Sequence, residues 1–190
     1  MRRAWGWTVG AGAVAVGTGV AGYLGLVTAA LPVDLGVGRR RIPLGPHGVD
    51  IRAPREVVFD ILAAPYLGEQ TRATADKIRV LERGSDMVLA AHRTPIRGKL
   101  VATTVETVRF TRPARVDFRL VRGPIPEVTE TFTLTETGSF TRLEYDGRLG
   151  TDLWSAGAWW GRLVARTWQD VVAATFAAVK DEAERRSRHR

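Results

Sequence analysis

The sequence predicts an α+β domain of element order β-α-β6-α: a curved antiparallel sheet of about seven strands around a long C-terminal helix, preceded by one transmembrane helix. Three observations predict it. No charged residue occurs from Ala4 to Val33, segments with period-two apolar alternation run from Lys77 to Leu149, and an apolar stripe at helical spacing follows Thr151.

At 1.5 Å per residue the uncharged run exceeds the roughly 30 Å hydrocarbon core of a bilayer, so residues 1–33 read as a single-pass anchor. Trp5, Trp7 and Tyr23 supply amphipathic rings, Arg2 and Arg3 precede the run, and Arg39, Arg40 and Arg41 follow it. A cleaved secretory signal ending at Thr28-Ala29-Ala30 is the competing reading. The run is about twice the usual 7–15 residue apolar region of such signals, which favours the anchor. Arginines after the span outnumber those before it, which places the domain on the cytoplasmic side. Gly17, Ala21 and Gly25 share one helix face, a spacing that a Gly- and Ala-rich segment also produces by chance. Residues 34–47, with Gly36, Gly38, Pro43, Gly45 and Pro46 and no periodicity, read as a linker, and residues 48–190 as the domain with its basic tail.

Within the domain, Val49 and Ile51 mark a short strand over 48–52. Ala53-Pro54 then opens a helix carrying Val57, Val58, Ile61 and Leu62, which Pro65 is expected to stop. Strands follow at 77–82, 87–92, 99–110, 115–121, 127–135 and 140–149. Gly84-Ser85, Thr94 to Gly98, Arg112-Pro113, Gly123 to Pro126 and Gly138-Ser139 break them. Connections this short require antiparallel neighbours. After Thr151, Trp160, Val164, Trp168, Val172 and Phe176 recur at i, i+4 steps, with Leu163, Val171 and Val179 beside them. The face of the sheet is the one surface large enough to cover that stripe.

The net charge of +8 comes almost wholly from arginine, since lysine occurs only at Lys77, Lys99 and Lys180. Anionic partners follow. The arginines are scattered and accompanied by no nucleic-acid motif, so the expected partner is not nucleic acid but anionic lipid headgroups, each juxtamembrane arginine contributing about 1 kcal/mol. There is no cysteine, which excludes disulfides and a thiol nucleophile. Three histidines, His47 and His189 of them in linker and tail, are too few for a histidine metal site or a Ser/His/Asp triad. No metal and no cofactor are expected.

Alternation assigns inner faces. Val116, Phe118 and Leu120 share one, leaving Arg115, Asp117 and Arg119 outside; Val128, Glu130, Phe132 and Leu134 share another; Leu143, Tyr145 and Leu149 a third. Glu130 is therefore a carboxylate on an apolar face, where desolvation fits it for acid/base work or ligand anchoring. A strand end in water, or an arginine partner, is the plainer reading. Tyr145 is a pocket phenol or a core ring. His92 is a general base or, with no carboxylate visibly paired to it, a surface histidine. Glu106 shares parity with Leu100, Val108 and Phe110, though solvent exposure is simpler. Trp160 and Trp168 lie on the helical stripe; Trp159, beside Arg162, lies off it and suits a lipid or partner contact. The tail Arg185, Arg186, Arg188 and Arg190 reads as a solvated basic end.

With this element order, VDIRAPREVVFDIL at 49–62 and LEYDGRLGTDLWSAGAWWGRLVARTWQDVVAATFAAVKDEAE at 143–184, residues 48–186 resemble the START-like (SRPBCC) superfamily of polyketide cyclases and lipid-transfer domains. The resemblance implies the helix-grip fold, a deep cavity between sheet and helix for an apolar ligand, and no universal catalytic residue. The expected function is membrane-tethered binding or transport of a lipid or other hydrophobic small molecule, with Phe118, Glu130, Phe132, Tyr145, Trp160, Val164 and Trp168 lining the site. The alternative is a cyclase/dehydratase-like enzyme using Glu130, Tyr145 and His92 in the same cavity. Oligomeric state is not legible.

Overall fold

The computed structural model describes residues 21–32, 34–68, 76–97 and 99–188. Within them, a short helix α1 (21–27) leads to β1 (Arg40–Ile51), α2 (Arg55–Leu67), six strands β2 (Ile78–Arg83), β3 (Met87–Arg97), β4 (Leu100–Thr111), β5 (Arg115–Arg122), β6 (Glu127–Thr137) and β7 (Phe140–Thr151), and α3 (Trp154–Arg188). The seven strands form one antiparallel sheet in the order β1-β7-β6-β5-β4-β3-β2. β2 to β7 thus make a meander, and β1 closes onto β7. Both α2 and α3 lie on one face of this sheet, α3 chiefly over β1 and β7. The predicted span over residues 1–33 falls mostly outside the described residues; among those described, no helix is long and apolar enough to cross a membrane.

The expected inner faces are the buried ones. Val116, Phe118, Leu120, Val128, Phe132, Leu134, Leu143, Tyr145 and Leu149 all enter the core, whereas Arg115 and Arg119 face water. Three local expectations change. β1 begins at Arg40, eight residues before the expected strand and inside the segment read as a linker. Its register slips between Leu44 and His47, so the alternation that would reveal it is broken midway. Gly45 sits at that slip with φ +94°, a conformation that needs glycine, and a Cβ there would fall 3.0 Å from the Tyr145 carbonyl oxygen. His47 consequently lies in the strand, stacked 6.0 Å from the Tyr145 ring. Pro65 lies inside α2 rather than ending it, and the helix continues to Leu67.

On α3, Leu163 and Val171 are exposed, and the first half of the buried face is made of Gly157, Gly161 and Ala165. Small residues there let the helix approach the sheet closely: a Cβ on Gly161 would come within 3.0 Å of Ile42 Cδ1 and of Thr151 Cγ2. A stripe counted from large apolar side chains misses such a face.

The turn from β7 into α3 is tied to the chain that enters β1. The buried Asp152 carboxylate accepts hydrogen bonds from the backbone of Leu35 (2.7 Å) and Gly36 (2.9 Å) and from Arg39 Nε (2.8 Å). Replacing it by alanine strips three donors of a charged acceptor. Asp152→Ala is expected to lower unfolding free energy by about 2–3 kcal/mol. Hydrogen exchange at the Leu35 and Gly36 amides should accelerate before that of the β7 amides; unchanged rates at those two positions would mean that Asp152 does not clamp this segment.

Candidate functional site

Between the sheet and the helices lies a layer of aromatic rings. Phe132 on β6 stands at its centre, 5.6 Å from Phe118, 5.0 Å from Tyr145 and 6.0 Å from Phe176 of α3, measured between ring centroids. Tyr66 extends the layer from α2, 5.8 Å from Phe118. Into this apolar layer the sheet directs two carboxyl groups. Glu130 is 7% exposed and Glu106 is 5% exposed. The plainer readings, solvent for both and an arginine partner for Glu130, are therefore corrected: their strand parity is that of the core, and no arginine or lysine reaches either of them among the described residues.

Glu130 sits opposite Phe118 on β5 and Gly147 on β7. Its Oε1 accepts hydrogen bonds from Tyr145 Oη and from Trp168 Nε1, each at 2.7 Å. Both donors use the same oxygen, and Oε2 has no hydrogen-bond partner among the described residues. Burial raises the Glu130 pKa, the nearby charge of Glu106 adds to it, and the two hydrogen bonds and His92 offset it in part, leaving it pushed up to about 7. Burial likewise pushes the Tyr145 hydroxyl up, assisted by the Glu130 charge.

The second group is a relay. His92 Nδ1 lies 3.1 Å from Glu106 Oε2, and His92 Nε2 lies 3.0 Å from the Tyr66 hydroxyl. Thr104 donates to Glu106 Oε1 at 2.7 Å. With His92 neutral, this network places its proton on Nδ1 toward Glu106 and lets Nε2 accept from Tyr66. Burial lowers the His92 pKa, but the charge and hydrogen bond of Glu106 outweigh it, and the net shift is upward. Burial drives Tyr66 well above its ordinary value, with the charges of Glu106 and Glu130 adding to the effect. His92 is thus neither a surface residue nor without a carboxylate.

Of the side chains expected to line a site, Phe118, Phe132 and Tyr145 belong to this core, Trp160, Val164 and Trp168 pack against it, and Glu130 is bonded within it. Trp160 donates to the Pro124 carbonyl at 3.0 Å, at the end of the layer beside the β5–β6 connection. Sequence reasoning passed over Tyr66 and Thr104. Tyr66 follows the proline expected to end α2, yet its i+4 relation to Leu62 places it on the buried face. A surface concavity of about 470 Å³ lined by Arg79, Val80, Leu81, Glu82 and Arg83 lies on the edge strand β2 and includes none of these groups. The deep cavity expected between sheet and helix is a packed aromatic layer among the described residues, and the buried polar groups lie within it.

Solved structures share this architecture. The chain is similar to the ZhuI aromatase/cyclase of Streptomyces sp. R1128, at a TM-score of 0.60 and 17% identity over 78% of this chain and 95% of that one. It is similar to TTHA0849 of Thermus thermophilus, at 0.58 and 17% over 78% and 99%. It is also similar to a START superfamily protein of Mycobacterium smegmatis, at 0.54 and 15% over 76% and 97%. At these identities the likeness is one of fold, and the fold is the helix-grip that the sequence resemblance implies. No protein-family model and no curated protein matches the chain.

Proposed function

We propose that this protein binds a hydrophobic small molecule or lipid in the slot between the sheet and α3, and that its uncharged N-terminal run holds it at a membrane. One observation carries the reading: Glu130 is a polar anchor inside an aromatic enclosure. Its Oε1 is already occupied by Tyr145 and Trp168, so the proton of the neutral acid resides on Oε2 and is available to a ligand carbonyl or hydroxyl. Rings supply the affinity for the ligand body, and the carboxyl selects for one oxygen function. The helix-grip architecture, which the ZhuI aromatase/cyclase shares, is consistent with such a ligand.

A second reading, acid/base chemistry on that ligand, is favoured by the Tyr66–His92–Glu106 relay facing the same slot. Glu106 orients His92, the Tyr66 hydroxyl keeps its proton and donates to His92 Nε2, and Glu130, near its own pKa at neutral pH, supplies a proton to the ligand or accepts one from it.

The test compares organic extracts of the full chain with those of Val164→Trp, which fills the slot from α3. Lipids held by the anchor are common to both. A compound recovered near one per chain from the native protein and depleted in Val164→Trp is expected; identical extracts would sink the binding reading. Turnover of the recovered compound by the native protein, lost in Glu130→Gln and in His92→Gln, would establish the second reading over simple binding.

A further inference from the structure

Exposed large apolar side chains occur on several elements, Leu67, Leu81, Val121 and Val171 among them, but six of them gather in one place. Leu31, Leu35, Val37, Leu153, Trp154 and Trp159 gather at one end of the sheet, where β1 begins, β7 finishes and α3 starts; Trp154 is 54% and Trp159 60% exposed. Backbone bonds hold them together: Leu153 donates to the Val37 carbonyl at 2.8 Å and Trp154 to that of Gly38 at 3.0 Å. The Trp154 ring covers Gly38, where a Cβ would meet it at 2.4 Å. The chain from α1 enters across the same end. Thr103 on β4 donates to the Thr28 carbonyl at 3.2 Å, Arg122 at the end of β5 donates to the Ala30 carbonyl at 3.2 Å, and Tyr23 packs edge-on to Trp160 with ring centroids 6.5 Å apart.

We propose that this end of the domain lies directly on the lipid headgroup layer, so that the membrane covers the apolar patch and the near end of the slot faces the bilayer. The inference rests on the anchor reading. Chain length argues for it. Ala4 to Val20 is 17 uncharged residues, at the lower limit of the roughly 17–25 that span the hydrocarbon. Residues 28–30 are already bonded to β4 and β5, which leaves no spacer between bilayer and domain. The Asp152 clamp on Leu35 and Gly36 removes the slack that residues 34–47 would otherwise provide. Composition argues the same way: tryptophan settles at the interface, leucine partitions into the adjoining hydrocarbon, and the exposed Arg40, Arg122 and Arg162 around them suit anionic headgroups. A soluble partner or a second copy would cover the patch equally well, but neither accounts for an uncharged run that ends inside it.

The native chain has no cysteine, so single-cysteine variants report one position each. The full chain, reconstituted in phosphatidylcholine–phosphatidylglycerol vesicles, carries a fluorophore on Trp159→Cys or Leu35→Cys at the patch. Ser139→Cys, at the β6–β7 hairpin of the opposite end, is the control, and Gly12→Cys lies in the uncharged run. Headgroup nitroxide lipids are expected to quench the Trp159→Cys and Leu35→Cys labels several-fold more than the Ser139→Cys label, and deep nitroxides to quench Gly12→Cys. Quenching at Gly12→Cys with the patch labels no different from Ser139→Cys would leave the anchor standing and overturn the docking. No lipid quenching at any label would overturn both. Patch labels shielded from aqueous quencher but not reached by lipid nitroxides, with cross-links between copies, would overturn the docking and assign the face to self-association instead.

Discussion

Glu130→Gln is expected to stabilise the protein by about 3 kcal/mol at pH 8 and to change it little at pH 5. The carboxyl has an ordinary value of 4.5 and is pushed up to about 7 in the fold. The folded protein therefore binds a proton that the unfolded chain has released between these values. Stability from this group is fully present below pH 4.5 and falls as pH rises toward and past 7, by about 1.4 kcal/mol for each unit separating the two pKa values. Glutamine keeps the acceptor for Tyr145 and Trp168 and cannot ionise, so the fall disappears. His92 contributes with the same sign, because its pKa is raised above 6.5: its stabilisation is present below 6.5 and lost as pH rises through the folded value. Asp152 and Glu127 act in the opposite sense, held low by Arg39 and Arg41, and their stabilisation is lost as pH falls below the ordinary carboxylate range. Maximal stability is thus expected near pH 5, and urea unfolding of native and variant protein at pH 5 and pH 8 measures it. Equal decline in both proteins above pH 5 would show that Glu130 is not the group responsible.

The sequence carried the fold through periodicity, and the site only through parity. Alternation placed Glu130 and Tyr145 on inner faces, and the structure joins them with a hydrogen bond across two neighbouring strands. It also put Glu106 on the parity of Val108, but a single carboxylate among apolar neighbours is more often at a strand end, and only the pairing of β3 with β4 shows that His92 is there to meet it. Partners on different strands are invisible until register is known, because a one-residue slip reverses every face. Such slips are present at Leu44/His47 and at Val105/Glu106. The first of them concealed the start of β1, since glycine and proline in a strand read as a loop when the ladder they interrupt is not seen. The buried face of α3 was half legible for a related reason: glycine and alanine bury little surface of their own and mark close approach, which hydrophobicity does not register.

Phe132→Ala is expected to cost about 3–5 kcal/mol, the usual range for deleting a buried phenylalanine ring. The ring touches partners on β5, β7 and α3 at once, so its loss uncouples the sheet from the helix that closes the slot. The vacated space adjoins Glu130, two residues away on the same face of β6. A cavity walled mainly by aromatic rings, with one carboxyl at its edge, accepts a small aromatic molecule that carries a polar hydrogen. Phenol or indole at millimolar concentration is expected to restore part of the lost stability in Phe132→Ala, by an amount that grows with the logarithm of concentration once the site saturates. The native protein supplies the contrast. If the slot already admits ligands, native protein is stabilised by the same compounds, and Val164→Trp abolishes the effect. If Phe132 and its neighbours instead fill the slot completely, only the alanine variant responds. Thermal denaturation of the three proteins with and without indole separates these outcomes. Stabilisation confined to Phe132→Ala would mean that binding requires α3 to move away from the sheet, and would shift the search for the ligand's entrance to the helix itself.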